Sequence, residues 1–185
     1  DVQHQGVVAQ VAPYEYAEVD DIIAIAEQKG EKPFLILLDE IEDPHNLGSI
    51  LRTADCTGAH GVIIPKRRSA QVTATVSKTS AGAVEYVPVA QVTNLGQTID
   101  KLKEMGVWVV GTDVDAVQEI YETDVFDGPV AVVIGNEGTG MGRLVKEKCD
   151  VLVKLPMAGK INSLNASVAA GVVMYEVLRR RHNQG

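Results

Sequence analysis

VAVVIGNEGTGMG, Val130 to Gly142, and LPMAGKINSLNASVAAGVVMYEVLRRR, Leu155 to Arg181, are the stretches on which the fold turns. The first is an apolar run entering a turn that holds Gly135, Gly138, Gly140 and Gly142. Its opening, Val130–Ile134, has no polar alternation, the pattern of a strand covered on both faces. The second is a strand end, a Pro156-Met157 bend, and a polar Ser163-Leu164-Asn165 step into a long apolar helix. Folding a domain needs neither the glycines nor the bend. Both suit a backbone wrapped around a ligand, and a third segment near Asn46 supplies polar groups to act on it.

Outward from these stretches the chain alternates. Strand-like runs are Phe34–Leu38, Gly61–Ile64, Val84–Val89, Val107–Gly111, Val130–Ile134 and Val151–Leu155. Helical patterns lie between and after them, at Leu47–Cys56, Ala70–Thr79, Leu95–Glu104, Arg143–Lys148 and Asn165–Arg181. The order predicts an α/β fold, a mostly parallel sheet with helices on both faces and right-handed crossovers. Ligands in such sheets sit outside the carboxyl ends of the strands.

Residues 1–32 read differently, with a possible strand at Gln5–Ala12 and an amphipathic helix at Val19–Glu27. The chain opens mid-pattern without a methionine, so this stretch is expected to be a linker or the end of an upstream domain. Residues 33–185 are then the main domain.

A chain of 185 residues suits one compact domain with a short extension. No apolar run approaches the ~20 residues of a membrane span, and no signal peptide opens the chain. Cys56 and Cys149 stand apart without a CxxC or a histidine cluster, which argues against a disulfide or a metal site. A cytoplasmic setting is expected, with both cysteines as small buried hydrophobes.

The net charge of −8 argues against a nucleic-acid partner until its distribution is examined. Residues 1–43 carry 11 acidic and 2 basic side chains, and residues 44–185 carry 14 and 15. The acidity belongs to the leading segment. Lys66-Arg67-Arg68 and Arg179-Arg180-Arg181 are candidate phosphate contacts. Each is equally a solvated loop or helix end, and the second also complements a helix dipole.

The glycine turn is not a dinucleotide loop, because Gly138, Gly140 and Gly142 run as GxGxG and no acidic residue closes the next strand. A Walker loop is excluded by the lack of GK[ST]. Taken alone, the glycines could serve only a tight turn before the helix at Arg143. The connection from Leu155 to Asn165 adds free backbone groups and apolar walls at Leu155, Met157 and Leu164, which suit a flat adenine. Ser163 and Asn165 are also ordinary helix N-caps. Asn46 and Arg52 lie six apart, about 600° around a helix, so they do not share a face.

At three segments the sequence resembles a known family. NLGSILR (Asn46–Arg52), IGNEGTGM (Ile134–Met141) and LPMAGKINSLNASVAAGVVMYE (Leu155–Glu176) are similar to the three motifs of the SpoU/TrmH RNA 2′-O-methyltransferases, in the SPOUT superfamily. The likeness covers about residues 33 to 181, with all three motifs in order. HQGVVAQV (His4–Val11), DPHNLG, PKRRSAQVTATVSKTSAGA (Pro65–Ala83) and VTNL (Val92–Leu95) resemble the RlmB-type 23S rRNA guanosine branch.

The resemblance implies a deep C-terminal trefoil knot, a homodimer formed through the knot region, and S-adenosylmethionine (SAM) as cofactor, with S-adenosylhomocysteine as product and no metal. Carried over, Gly135, Leu155 and Leu164 would contact SAM, with Gly111, Thr112 and Met157 beside it. Asn46, Arg52, Glu137, Ser163 and Asn165 would be the catalytic set. Residues 1–32 would then end an RNA-binding N-terminal domain, and residues 33–185 would be the methyltransferase domain. The expected partner is RNA, ribosomal RNA first. Arg52 would take the 2′-hydroxyl proton or stabilise the developing alkoxide, although a guanidinium of pKa above ~12 is a poor base. His45 is a weaker candidate base. The alternatives are a tRNA 2′-O-methyltransferase of the same family and a non-catalytic SAM- or RNA-binding module of ribosome assembly.

Overall fold

A computed structural model describes residues 13–183 of the chain. Seven strands form one parallel sheet: β1 (Phe34–Asp39), β2 (Gly61–Pro65), β3 (Val89–Val92), β4 (Trp108–Thr112), β5 (Gln118–Glu119), β6 (Val130–Gly135) and β7 (Val151–Lys154). Their spatial order is β3-β2-β1-β6-β4-β7-β5. The helices are α1 (Val19–Gln28), α2 (Pro44–Thr57), α3 (Ala74–Thr79), α4 (Leu95–Glu104), α5 (Arg143–Lys148) and α6 (Ala166–His182).

The apolar strands divide their side chains between two cores. Phe34, Ile36 and Leu38 of β1 join Leu47, Ile50 and Leu51 of α2 and Val173 and Val177 of α6. Leu35 and Leu37 point the other way, onto Ile22 of α1 and Ile99 and Leu102 of α4. Every residue of β1 is buried, which is why its sequence shows no alternation. The sheet is covered on both faces, as the sequence predicts.

Three elements are shifted from their expected positions, the first being α2, which begins at Pro44 rather than Leu47 because Asp43 caps it. Val84–Val89 is not a strand: Ala83–Glu85 forms a 3-10 turn, and the strand begins at Val89. Gly82, at φ +85°, starts that turn, and Ala83 and Val84 are buried against the α2 side of the sheet. α3 begins at Ala74 rather than Ala70, because the Thr73 hydroxyl caps it and Ala70 N–H is committed to the Ile41 carbonyl. The two-residue β5 is polar and left no apolar signature. The strand expected at Gln5–Ala12 lies outside the described residues.

The helix expected at Val19–Glu27 is present as α1, but it does not behave as a linker. Ile22 and Ala26 are fully buried, and Ala17 pairs with Ala90 at the sheet edge. The folded unit therefore starts upstream of residue 33. Among the described residues no helix is long and apolar enough to cross a membrane.

The Arg179–Arg181 cluster is used internally. Arg179 and Arg180 both pair with Glu176, which is 5% exposed. Their guanidinium groups, that of Arg179 first, hold the Glu176 carboxyl below the usual range against the effect of burial. Arg181 donates to the carbonyls of Lys32, Pro33 and Gly128 and lies over the Phe34 ring. Arg181 ties the end of α6 to the segments that enter β1 and β6, Arg180 reaches the Tyr121 carbonyl and Asp127, and Arg179 pairs within the helix. Of the two cysteines, Cys149 is half-buried with its thiol pushed up to about 12 by burial, whereas Cys56 is exposed on α2, contrary to expectation.

Candidate active site

A parallel sheet delivers every strand's carboxyl end to one edge. At that edge a cavity of about 410 Å³ opens between the ends of β4, β6 and β7 and the start of α6. Its apolar wall includes Ile134, Leu155, Met157 and Leu164, and its polar wall includes Thr112, Asp113, Asn136 and Ser163. Of the residues expected around a cofactor, Gly135, Leu155, Leu164, Thr112 and Met157 line it, and Gly111 does not. A Cβ at Gly111 would meet Met141 Cε at 2.7 Å and Cys149 Sγ at 2.8 Å, so this glycine makes room for packing under α5.

The glycine turn forms the floor. Asn136 Oδ1 accepts the Gly138 and Thr139 N–H groups at 2.8 and 3.2 Å, while its Nδ2 donates to the Glu40 carbonyl. Asp39, at the end of β1, accepts the Gly142 N–H at 2.7 Å. Gly140 lies at φ +72°, where a side chain is strained. Gly135 is required for a different reason: a Cβ there would stand 2.4 Å from Met141 N and 2.5 Å from Gly140 C. The chain folds back onto Gly135, and it is the turn's own backbone that excludes a side chain.

The start of α6 is where the polar residues meet. Glu137 Oε2 accepts the Ala166 N–H at 2.8 Å. Asn165 caps the helix, its Oδ1 accepting from Ser167 N and Val168 N. Its Nδ2 donates to Asn46 Oδ1 at 3.2 Å. Asn46 is 8% exposed in the first turn of α2, a helix begun by the Asp43 cap and Pro44. Thus Asn46, Glu137 and Asn165 are joined through one helix terminus, and Glu137 and Ser163 also line the cavity.

Arg52 is not brought into this group. It is exposed on α2, six residues and about 9 Å of helix beyond Asn46. It does not line the cavity and has no hydrogen bond or ion pair among the described residues. His45 is exposed, and its backbone N–H is held by Asp43.

Sequence reasoning missed several residues of the site. Asp39 and Asn136 shape the turn, and nothing in their local sequence shows what they reach. Asp113 follows β4 directly and pairs with Lys146 of α5, both on the cavity wall. Burial acts to raise the Asp113 carboxyl, but the Lys146 ammonium and the Asp115 N–H outweigh it and hold it below the usual range. The position of Asp113 at a strand's carboxyl end was the available signal.

Comparison with known proteins agrees in sequence and in fold. Residues 33–175 match the model of the SpoU rRNA Methylase family. A Bacillus subtilis (strain 168) protein named TrmH family tRNA/rRNA methyltransferase YacO is 64% identical over 183 residues, covering 99% of this chain and 73% of that protein. A Staphylococcus haemolyticus relative named for the same family is 57% identical over 182 residues, covering 98% of this chain and 73% of its own length. Among solved structures, the SpoU methyltransferase AviRb from Streptomyces viridochromogenes in complex with AdoMet superposes with a TM-score of 0.81 at 31% identity, over 91% of this chain. An AdoMet-bound rRNA methyltransferase from Sinorhizobium meliloti gives 0.76 at 26% identity, over 89%. This chain spans 66% and 61% of those two solved chains.

Proposed function

This chain belongs to the SpoU rRNA Methylase family, and from that premise we propose that it methylates a ribose 2′-hydroxyl of RNA using SAM, at a guanosine of 23S rRNA. The observation that carries the reading is the linkage of Asn46, Glu137 and Asn165 at the start of α6, beside a cavity of cofactor size. A volume of about 410 Å³ falls within the range of small-molecule sites, and the lining is divided evenly between apolar and polar groups, which suits a ligand with both a flat apolar part and a charged part. Gly135, Leu155, Met157, Leu164 and Thr112 would hold the nucleoside and amino-acid parts of SAM. SAM would supply an electrophilic methyl on a neutral leaving group, so the protein has to orient and deprotonate the hydroxyl.

Asn165 and Glu137 fix the start of α6 and the loop that leads to it, and Asn46 ties that point to α2. Rigid placement of this kind is what an in-line displacement demands of its surroundings. Arg52 would act at the hydroxyl, as an electrostatic stabiliser or a desolvated base. Because Arg52 lies outside its own chain's cavity, we assign it to the cavity of a second copy, which makes the active unit a homodimer. Val168 and Tyr175 of α6, 52% and 53% exposed, offer an apolar surface for that contact. The placement of β7 between β4 and β5, inside the excursion the chain makes from β4 through β5 to β6, supports a knotted C-terminal segment.

Methyl transfer from labelled SAM to unmodified rRNA and tRNA transcripts tests the reading, followed by mass mapping of 2′-O-methylated nucleotides. Label in 23S rRNA at one guanosine ribose is expected. Label in tRNA alone would redirect the substrate, and no transfer to either would leave a binding module.

A further inference from the structure

The sequence cluster Lys66-Arg67-Arg68 is not used by the chemistry just described, yet it sits in a built feature. It forms the turn directly after β2, with all three side chains exposed and Arg68 at φ +55°. Among the described residues none of the three has a hydrogen-bonded or ion-paired side chain, whereas Lys146, Lys148, Arg179 and Arg180 all face carboxylates. Gln71 closes the turn from beneath. Its Nε2 donates to the Pro65 carbonyl and to the Ser69 carbonyl, each at 3.1 Å, bracketing the three cations. Its Oε1 accepts from Gln91 Nε2 and from the Tyr16 hydroxyl, and that hydroxyl also accepts the Val72 N–H. Ala70 N–H then fastens the segment to the loop between β1 and α2, which leads to Asn46.

The location follows from the sheet. β2 is parallel to β1 and β6, so the turn lies on the same edge as the cavity. It is two strands from β6, about 10 Å at ~4.8 Å per strand. We propose that the Gln71-braced turn Lys66–Arg68 is a phosphate-docking surface for the substrate RNA strand beside the target ribose, with Gln71 as the positioning residue. The inference rests on the RNA methyltransferase reading. Three cations held outward on a fixed turn neutralise backbone phosphates without reading bases, so they set register and affinity rather than sequence choice.

The test measures binding of the 185-residue chain to a 23S rRNA transcript as a function of salt. Lys66→Ala/Arg67→Ala/Arg68→Ala is expected to bind RNA at least roughly tenfold more weakly at ~0.1 M salt, with a salt slope shallower by about two, and to keep its SAM affinity. Gln71→Ala removes no charge and is expected to flatten the slope in the same direction, by less. Should the triple variant fold poorly in thermal melts, Arg67→Glu alone carries the same prediction at smaller size. Unchanged RNA affinity and slope in these variants would overturn the proposal, as would an affinity loss with the wild-type slope. Methyl transfer by the wild-type chain is scored separately, so failure of the enzymatic reading and failure of this docking surface are told apart.

Discussion

Asn165 Nδ2 donates to Asn46 Oδ1 across 3.2 Å, joining residues 119 positions apart at the meeting point of two helix N-termini. The other atom of the same amide, Oδ1, caps α6. One side chain therefore performs two separable tasks. Asn165→Asp keeps an oxygen for the cap, and a carboxylate is favoured at a helix N-terminus, so stability should hold. It loses the donor to Asn46, and methyl transfer should fall. Asn165→Ala should lose both, with a stability cost of about 1 kcal/mol. Thermal melts paired with transfer rates check this; equal activity in Asn165→Asp and wild type would remove the Asn46 link from the mechanism.

Gly135→Ala should damage the cofactor site by an indirect route. The added Cβ meets the backbone at Gly140 and Met141, which has no rotamer to give way. The turn must open, at a cost of ~1–3 kcal/mol or more, and the cavity floor moves with it. Calorimetry should show loss of SAM binding together with a lower melting temperature. Normal SAM affinity would mean that the turn's shape does not matter.

Arg52→Ala should leave SAM affinity and stability nearly unchanged, within ~0.5 kcal/mol, because the side chain is exposed. Methyl transfer should drop by ~10²-fold or more, and Arg52→Lys should not restore it. Mixing Arg52→Ala with a Gly135-substituted, cofactor-dead protein provides the stringent check. If Arg52 serves the partner's cavity, mixed dimers regain one complete site and activity returns. If it serves its own, the mixture stays inactive.

His60 gives a pH dependence that owes nothing to catalysis. It is 4% exposed; its Nδ1 accepts the Phe34 N–H at 3.0 Å, and its Nε2 lies 2.8 Å from Glu31. Burial lowers its pKa, with the Glu31 carboxylate opposing and Arg181 and Lys29 assisting. A lowered pKa means that the unfolded chain binds the proton first, so the stabilisation is complete above ~6.5 and is lost as pH falls below it. Melting curves between pH 5 and 8 should show this loss, and His60→Asn, which can still accept from Phe34 N–H, should flatten it. An unaltered pH profile in that variant would assign the dependence to other groups.

The sequence by itself determined the α/β class, the two-sided burial of the sheet, most helix positions and the three motifs. These are written locally: the unalternated run Val130–Ile134 and the glycines after Ile134 each state their structure within a few residues. Only the tertiary structure decided which residues share the site. Asp39 holding Gly142, Glu137 holding Ala166 and Asn165 holding Asn46 span 103, 29 and 119 positions, and no periodicity encodes such pairs. It also separated roles that looked alike in sequence, because charge alone does not say what a cation faces. Arg179–Arg181 close onto Glu176 and backbone carbonyls. Lys66–Arg68 stay exposed on a turn whose flanking carbonyls, of Pro65 and Ser69, accept from Gln71, and Gly135 is a glycine because the chain returns to touch it.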